Sequence, residues 1–508
     1  MRPDTAQSGM SGVRVDRIAW GAWWAVVALA GVAGIALRIW VYRTALGIPD
    51  SDEAVVGLMV RHFQHGELTT FFWGQGYGGS QEVLLTVPVF AVFGSSWLAL
   101  RIVPMLLSAV AAFVVWRVGR RTIGEPGATV AGCVLWIWPA FAVYKLTHQW
   151  GFYASGVLYS ALLLLLALRL VERPSHVRVG IFGLVVGLSI WQSQQLVPVV
   201  LPVIAWTLWK QPRWIRQVWV ALPLAVIGAL PWIIWNVRHD WGSLHSTLSE
   251  TTSYQHRLRI FISPLMPMLL GLRTPFTQEK LLPGPASLLA YAVLLALFAY
   301  GAYATRSRNT SLLFLVIAVY PFIYALAPQT LFDQEPKYLL VLSPAIVLLL
   351  ASVAKSYWRG FLVIALALAV SVVTLRRMET YFRTVPPFPP AAPRDLRPLT
   401  STLDGLGVSR VYADFWLAYR LTFDTNERII AAQNKFQRLT FVNGVAIASH
   451  HPYIRHREYE RVVQADPRHG FVFFRRSLGR VRSYTAELGR HGYRRLVVGP
   501  FVVYAPPK

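Results

Sequence analysis

Residues 18–41 (IAWGAWWAVVALAGVAGIALRIWV) carry one charge, Arg38, in 24 positions. As a helix this run would be about 36 Å long, enough to cross the hydrocarbon of a bilayer. Ten more apolar runs follow, near residues 97–117, 127–144, 150–171, 177–192, 195–209, 217–236, 285–304, 310–328, 337–354 and 359–375. In lipid every backbone N–H and C=O must be paired within the protein, so each run is expected to be helical. The sequence thus predicts a polytopic α-helical membrane protein with about 11 transmembrane helices. Charged residues make up 14% of the chain, against about a quarter in a soluble domain. The first run follows Arg2, Arg14 and Arg17, as a signal peptide would, but is too long for one and reads as a retained span. Arg38 sits near its end, where it can snorkel.

The net charge of +25 suits nucleic acid or anionic lipid, and the dominance of apolar runs favours membrane lipids over nucleic acid. One cysteine, Cys133, excludes an internal disulfide framework and a Cys-rich metal site.

Alternate turns collect positive charge: Arg117, Arg120 and Arg121; Arg173 and Arg178; Lys210, Arg213 and Arg216; Arg306 and Arg308; Lys355 and Arg359. By the positive-inside rule these turns are cytoplasmic, as is the N-terminus, and residues from 376 onward are extracytoplasmic. This orientation requires residues 83–94 (VLLTVPVFAVFG) to lie at the outer interface rather than to span. Residues 1–375 hold 14 acids, ten of them in outer loops and none in mid-span. An ion-coupled pump would be expected to carry intramembrane carboxylates.

Three of these acids, Asp50, Asp52 and Glu53, crowd the stretch PDSDEAVVGLMVRHF (49–63) at the start of the first outer loop. Helical spacing puts Val55, Leu58, Met59 and Phe63 on one face. Asp50 or Ser51 is then an N-cap, with the other acids compensating the helix dipole. His62 and His65, three apart, read as a polar face or as metal ligands. Further on, the stretch TFFWGQGYGGSQE offers Gln75, Tyr77 and Glu82 among glycines that permit close backbone approach. The second outer turn, KLTHQWGFY, holds Lys145, His148 and Gln149, and PQTLFDQEPKYLL puts Asp333, Glu335 and Lys337 just before a span.

In order and placement, four stretches resemble the GT-C superfamily of membrane glycosyltransferases, in its protein O-mannosyltransferase and aminoarabinose-transferase-like branch. They are PDSDEAVVGL, FGSSWLALRIVP with Arg101, GALPWIIWNVRHDW, and EPKYLLVLSPAIVLLL, which is similar to the family's RYLLPLYP segment. The resemblance covers most of residues 15–355. It implies a bundle of transmembrane helices with catalysis at the outer face, Asp52 as the catalytic carboxylate and Glu53 beside it. It also implies a polyprenyl-phosphate-linked sugar as donor, with Lys337 or Arg101 binding the donor phosphate; for Arg101 a structural ion pair is the competing reading. Gln75, Tyr77, Glu82, His148 and Gln149 are then candidate substrate-binding residues. The chain departs from the family twice, reading YGGSQE where relatives commonly have HPP or KPP, and carrying no acid in KLTHQW. Asp50-Ser51-Asp52 has a spacing able to hold a divalent cation through oxygen ligands, so metal dependence stays open, with Asp50 as the ligand.

Past residue 376, VPPFPPAAPRDLRP is a stiff linker. GVSRVYA, ERIIAA, FVFF, RRLVVG and FVVYAP then read as strands, and DFWLAYRLTF and SLGRVRSYTAELGRHG as helices. The expected organisation is a GT-C-like catalytic domain at 1–375 and a C-terminal extracytoplasmic α/β domain at 376–508, the latter with net charge +12. No nucleotide-binding or Walker motif is present. The predicted function is transfer of a sugar to an extracytoplasmic acceptor hydroxyl at the plasma membrane. The alternative is a transporter or flippase for a lipid-linked sugar.

Overall fold

Each of the eleven apolar runs is helical over part or all of its length in the computed structural model, which describes residues 7–245, 252–304, 309–327, 332–384, 392–442, 445–448 and 454–507. The Pro-rich stretch 385–391, Arg306, Arg308 and Glu250 lie outside the described residues. Among the described residues six helices are long and apolar enough to cross a membrane: Trp23–Arg43, Trp97–Thr122, Tyr153–Glu172, Pro212–Arg238, Gly284–Tyr303 and Tyr357–Thr384. Shorter apolar helices include Gly127–Ile137, His176–Gln192, Ser311–Tyr324 and Lys337–Ala351. Residues 83–93 fall in the helix Gln81–Phe93, with Gly94 as its C-cap; the helix is about 20 Å long and so shorter than a bilayer's hydrocarbon.

The chain divides into two compact units. One comprises Met1–Leu46, Pro104–Thr147 and Phe152–Thr380; the other comprises Gly47–Val103, His148–Gly151 and Tyr381–Lys508. The first outer loop and a piece of the second turn thus pack with the C-terminal segment.

The helical unit relies on small residues. In GLVVG (183–187), added side-chain carbons at Gly183 and Gly187 would run into the carbonyls of Ala221 and Ala225. A Cβ on Gly228 would lie 2.5 Å from the Leu184 carbonyl. Helices His176–Gln192 and Val218–Arg238 thus approach backbone to backbone, the close packing that substitutes for a hydrophobic driving force in lipid. Arg38 does not snorkel. It is buried, donates from Nη1 to the carbonyls of Gly34 (2.9 Å) and Trp136 (3.0 Å) and from Nη2 to Ser108 Oγ (3.1 Å), and its guanidinium lies 3.5 Å from the Trp136 ring centroid. Satisfying the charge inside the bundle replaced carrying it to the interface.

The second unit is built on a five-stranded mixed sheet. Its strands are β1 (Arg410–Ala413), β2 (Ile430–Gln433), β5 (Gly470–Phe474), β6 (Arg494–Val498) and β7 (Phe501–Ala505), in the order β2-β1-β5-β7-β6. β1 runs parallel to β2 and β5, and β7 is antiparallel to β5 and β6. A hairpin of β3 (Leu439–Val442) and β4 (Val445–Ala448) was not legible as strands. Period-two alternation sorts the side chains to the two faces of the sheet. Val411, Ala413, Val472, Phe474, Phe501 and Val503 share a core with Val55, Leu58 and Met59 of the helix Ser51–Gln64 and with Leu417 and Leu421 of the helix Phe415–Asp424. Tyr412, Phe471, Phe473, Val502 and Tyr504 face the other way, onto Tyr484 and Leu488. The acid-bearing helix is thus a structural layer of the C-terminal α/β fold.

Candidate active site

The three clustered acids have three different fates, all set by the first turn of the helix Ser51–Gln64. Asp50 is its N-cap: extended backbone (φ −116°, ψ 178°) lets Oδ1 accept from the Glu53 N–H at 2.9 Å. The Trp150 indole N–H donates to both Asp50 oxygens, each at 2.9 Å. Burial, then the charges of Asp52 and Glu53, push the Asp50 carboxyl up to about 7. Among the described residues no group of three or more His, Cys, Asp or Glu is placed to hold a metal. Both Asp50 oxygens accept N–H donors.

Glu53, one residue beyond Asp52, is fully buried. Arg101, from the helix Trp97–Thr122, meets it as a fork, Nε to Oε1 at 2.6 Å and Nη2 to Oε2 at 2.5 Å, and donates from Nη1 to the Gly47 carbonyl at 3.1 Å. The Gln149 N–H adds a bond to Oε1 at 3.1 Å. Burial opposes the Glu53 charge, but the Arg101 guanidinium, helped by His148 and Gln149, holds the carboxyl below its ordinary range. Arg101 is thus the structural partner of Glu53, the second of its two sequence readings.

Asp52 faces the other way. Its side chain is 35% exposed, and Oδ1 accepts from Arg455 Nη2 at 3.2 Å. Among the described residues nothing partners Oδ2.

Of the residues assigned to substrate, Glu82, His148 and Gln149 are buried. His148 stacks on Trp150 with ring centroids 4.4 Å apart, and Gln149 reaches from Glu53 to Thr86 Oγ1 at 3.4 Å. His148 and Gln149 back the acid cluster. Gln75 and Tyr77 remain accessible. Gln75, with its amide oriented to satisfy its neighbours, accepts from Arg455 and from the Tyr77 hydroxyl. His62 and His65 do not converge: His62 bonds to Glu67 (2.5 Å), Glu427 (3.3 Å) and Tyr459 (3.2 Å), whereas His65 Nδ1 donates to the Arg61 carbonyl.

In the helical unit, Lys337 Nζ lies 2.8 Å from Glu335 Oε1 and Lys145 Nζ lies 3.5 Å from Glu335 Oε2. Lys337 also stands 4.1 Å from the Phe332 ring centroid. Burial opposes the Glu335 charge, but the two ammonium groups hold its carboxyl down at about 2. Two cations against one anion leave this cluster net positive, at the end of the span where the sequence put a phosphate ligand. Arg455 and the Lys145 partnership were missed because both join residues far apart in the chain. Trp150 lay inside a quoted turn but carried no signal of its role.

Residues 84–235 match the family model described as dolichyl-phosphate-mannose-protein mannosyltransferase. The structure of ArnT from Cupriavidus metallidurans in the apo state is similar with a TM-score of 0.60 at 14% identity, over 96% of this chain and 98% of that one. The same protein bound to undecaprenyl phosphate gives a TM-score of 0.57 at 12% identity, over 96% and 98%. No curated protein matches the chain by sequence. The resemblance to GT-C membrane glycosyltransferases stands: the chain has the ArnT fold, and over residues 84–235 the sequence pattern of the dolichyl-phosphate-mannose-protein mannosyltransferase family.

Proposed function

We propose that this chain is an integral membrane glycosyltransferase that moves a sugar from a polyprenyl-phosphate-linked donor to an extracytoplasmic acceptor hydroxyl, with Asp52 as general base. The observation that carries the reading is the Oδ2 of Asp52, unpartnered among the described residues, beside two neighbouring acids that are both engaged. A base must reach its proton, and Asp52 alone of the three is free to do so. Glu53 then serves by anchoring the turn. The acceptor oxygen attacks the anomeric carbon as its proton passes to Asp52, and the carbon–oxygen bond to the lipid phosphate breaks with the electron pair leaving on phosphate.

Lys337 and Lys145 are the proposed phosphate contacts. Their shared carboxylate Glu335 keeps both side chains ordered and still leaves positive charge for the leaving group. Lys337 lies in a segment similar to the family's RYLLPLYP segment, and one ArnT structure in this fold is bound to undecaprenyl phosphate. The reading includes about eleven spans, a cytoplasmic N-terminus, a catalytic membrane domain over 1–375, and the α/β domain 376–508 outside.

The test is transfer of labelled sugar from an undecaprenyl-phosphate-linked donor by the reconstituted protein. Asp52→Asn is expected to lower kcat about 10²–10⁴-fold; undiminished activity in that variant refutes the assigned role. Lys337→Met is expected to raise KM for the donor and to lower kcat.

A further inference from the structure

Arg455 lies 403 positions from Asp52 in sequence, yet the fold spends four separate features on holding it there. The first is Gly74. Its backbone has φ +66°, and a Cβ there would lie 2.5 Å from the Ile454 carbonyl oxygen and 2.8 Å from Arg455 Cα. A glycine therefore admits the 454–455 backbone against the loop that follows the acid helix. The second is Tyr419, whose buried hydroxyl accepts from the N–H groups of Arg455 (2.9 Å) and His456 (3.3 Å). The third is the pair of rings of Phe72 and Phe415, whose centroids lie 5.1 and 5.4 Å from the guanidinium carbon. The fourth is the Gln75 amide, which takes N–H donors of the guanidinium. An ordinary surface pair has none of this support and is worth about 0–1 kcal/mol. The Arg455 side chain is 18% exposed.

We infer that Arg455 is the positioning residue for the Asp52 base: it holds Oδ1 and turns Oδ2 to the acceptor. The inference rests on Asp52 as base, and deepens that reading by giving the C-terminal domain a part in the reaction. The charges around Asp52 show why a cation is needed. Asp50 and Glu53 stand on the same helix turn. The nearest other cation of that turn, Arg101, is spent on Glu53. Arg420, from the helix Phe415–Asp424, bonds to Asp424 and to the carbonyls of Ala392 and Arg394, and its charge also acts on Asp50 and Glu53. His148 acts on Glu53 from behind. Among the described residues Arg455 is the cation that bonds Asp52 itself. It exchanges no proton: the acceptor proton goes to Asp52, and the phosphate leaves with the bonding pair.

The hold of Arg455 on Asp52 can be read without knowing the sugar or acceptor. Full-length wild type, Arg455→Gln, Arg455→Met and Arg455→Lys are treated at one fixed pH with a water-soluble carbodiimide and glycine ethyl ester. Modification of Asp52 is then read by peptide mass spectrometry. Removing the guanidinium is expected to raise the labelling rate of Asp52 several-fold, with Lys restoring most of the protection. Met keeps the apolar stem between Phe72 and Phe415, so it carries the test if Gln does not fold. In the transfer assay kcat should fall, with KM for the donor little changed and Lys recovering part of the loss. An unchanged labelling rate in either folded charge-removing variant overturns the inference. Activity lost with the labelling rate unmoved also overturns it, since that marks a role in folding alone. Activity retained in Asp52→Asn overturns the base assignment instead, a result distinguishable because the labelling does not depend on turnover.

Discussion

Asp50, Asp52 and Glu53 show how neighbours on one helix turn acquire different chemistry from different surroundings. A cap at Asp50 or Ser51 was legible, because a short polar residue ahead of an apolar helical run is a local signal that needs no tertiary information. The fates of the other two were not, because Arg101 and Arg455 reach them across 48 and 403 positions of sequence. Two predictions belong at this scale. Cutting Arg101 to Met leaves Glu53 buried and unpaired, which is expected to cost about 3–5 kcal/mol and to appear as a large fall in thermal midpoint. Asp50 works with the opposite sign. Its folded pKa is raised to about 7, above the unfolded value near 4. The folded state then binds more protons across that window, so the contribution of Asp50 to stability is full below pH 4 and is lost as pH rises through about 7. Asp50→Asn retains an oxygen to accept one N–H. It should be more stable than wild type at pH 8 by about 1 kcal/mol, with the difference vanishing toward pH 4; thermal unfolding at the two pH values checks it.

Elements were read best where one face or one composition decides them. Long apolar runs became helices because lipid or a packed bundle leaves the backbone no other way to pair. β1, β2, β5, β6 and β7 were visible as short runs rich in β-branched and aromatic residues. The β3–β4 hairpin and the helices Arg397–Gly405 and Arg457–Ala465 were not, since their sequences are polar and mixed and their pattern emerges only on packing. Arg38 shows a related limit: its place near a run's end suggested water, and the carbonyls of Gly34 and Trp136 supplied its partners instead. The contact between the helices His176–Gln192 and Val218–Arg238 gives a prediction at this scale. Gly187→Leu places a branched side chain where the Ala225 backbone lies, so the two helices must separate. The expected outcome is poor yield of folded protein in detergent, with Gly187→Ala milder, measured by size-exclusion profile and thermal midpoint.

For the whole molecule, the acid helix and the C-terminal sheet share one hydrophobic core, so the region of the proposed base cannot be folded without residues beyond 391. Deleting residues 392–508 removes the partners of Val55, Leu58 and Met59 and exposes them to water. The truncated protein is expected to lose transfer activity and to become protease-sensitive within residues 47–103, which limited proteolysis with peptide mapping reads directly. A detachable outer domain would leave both properties intact.

From the sequence alone came the helical membrane character, the α/β character of the tail, a helix cap at Asp50 or Ser51 and the GT-C resemblance with its acid pair. All of these rest on composition, periodicity or short motifs, which neighbouring residues carry together. The tertiary structure decided that Asp50 is the cap, which acid is buried against a guanidinium and which keeps an oxygen unpartnered among the described residues. It also decided that the first outer loop is a layer of the C-terminal fold and that Arg455 meets Asp52. The physical reason is range: desolvation and ion pairing act over a few ångströms of space, and those few ångströms join residues hundreds of positions apart.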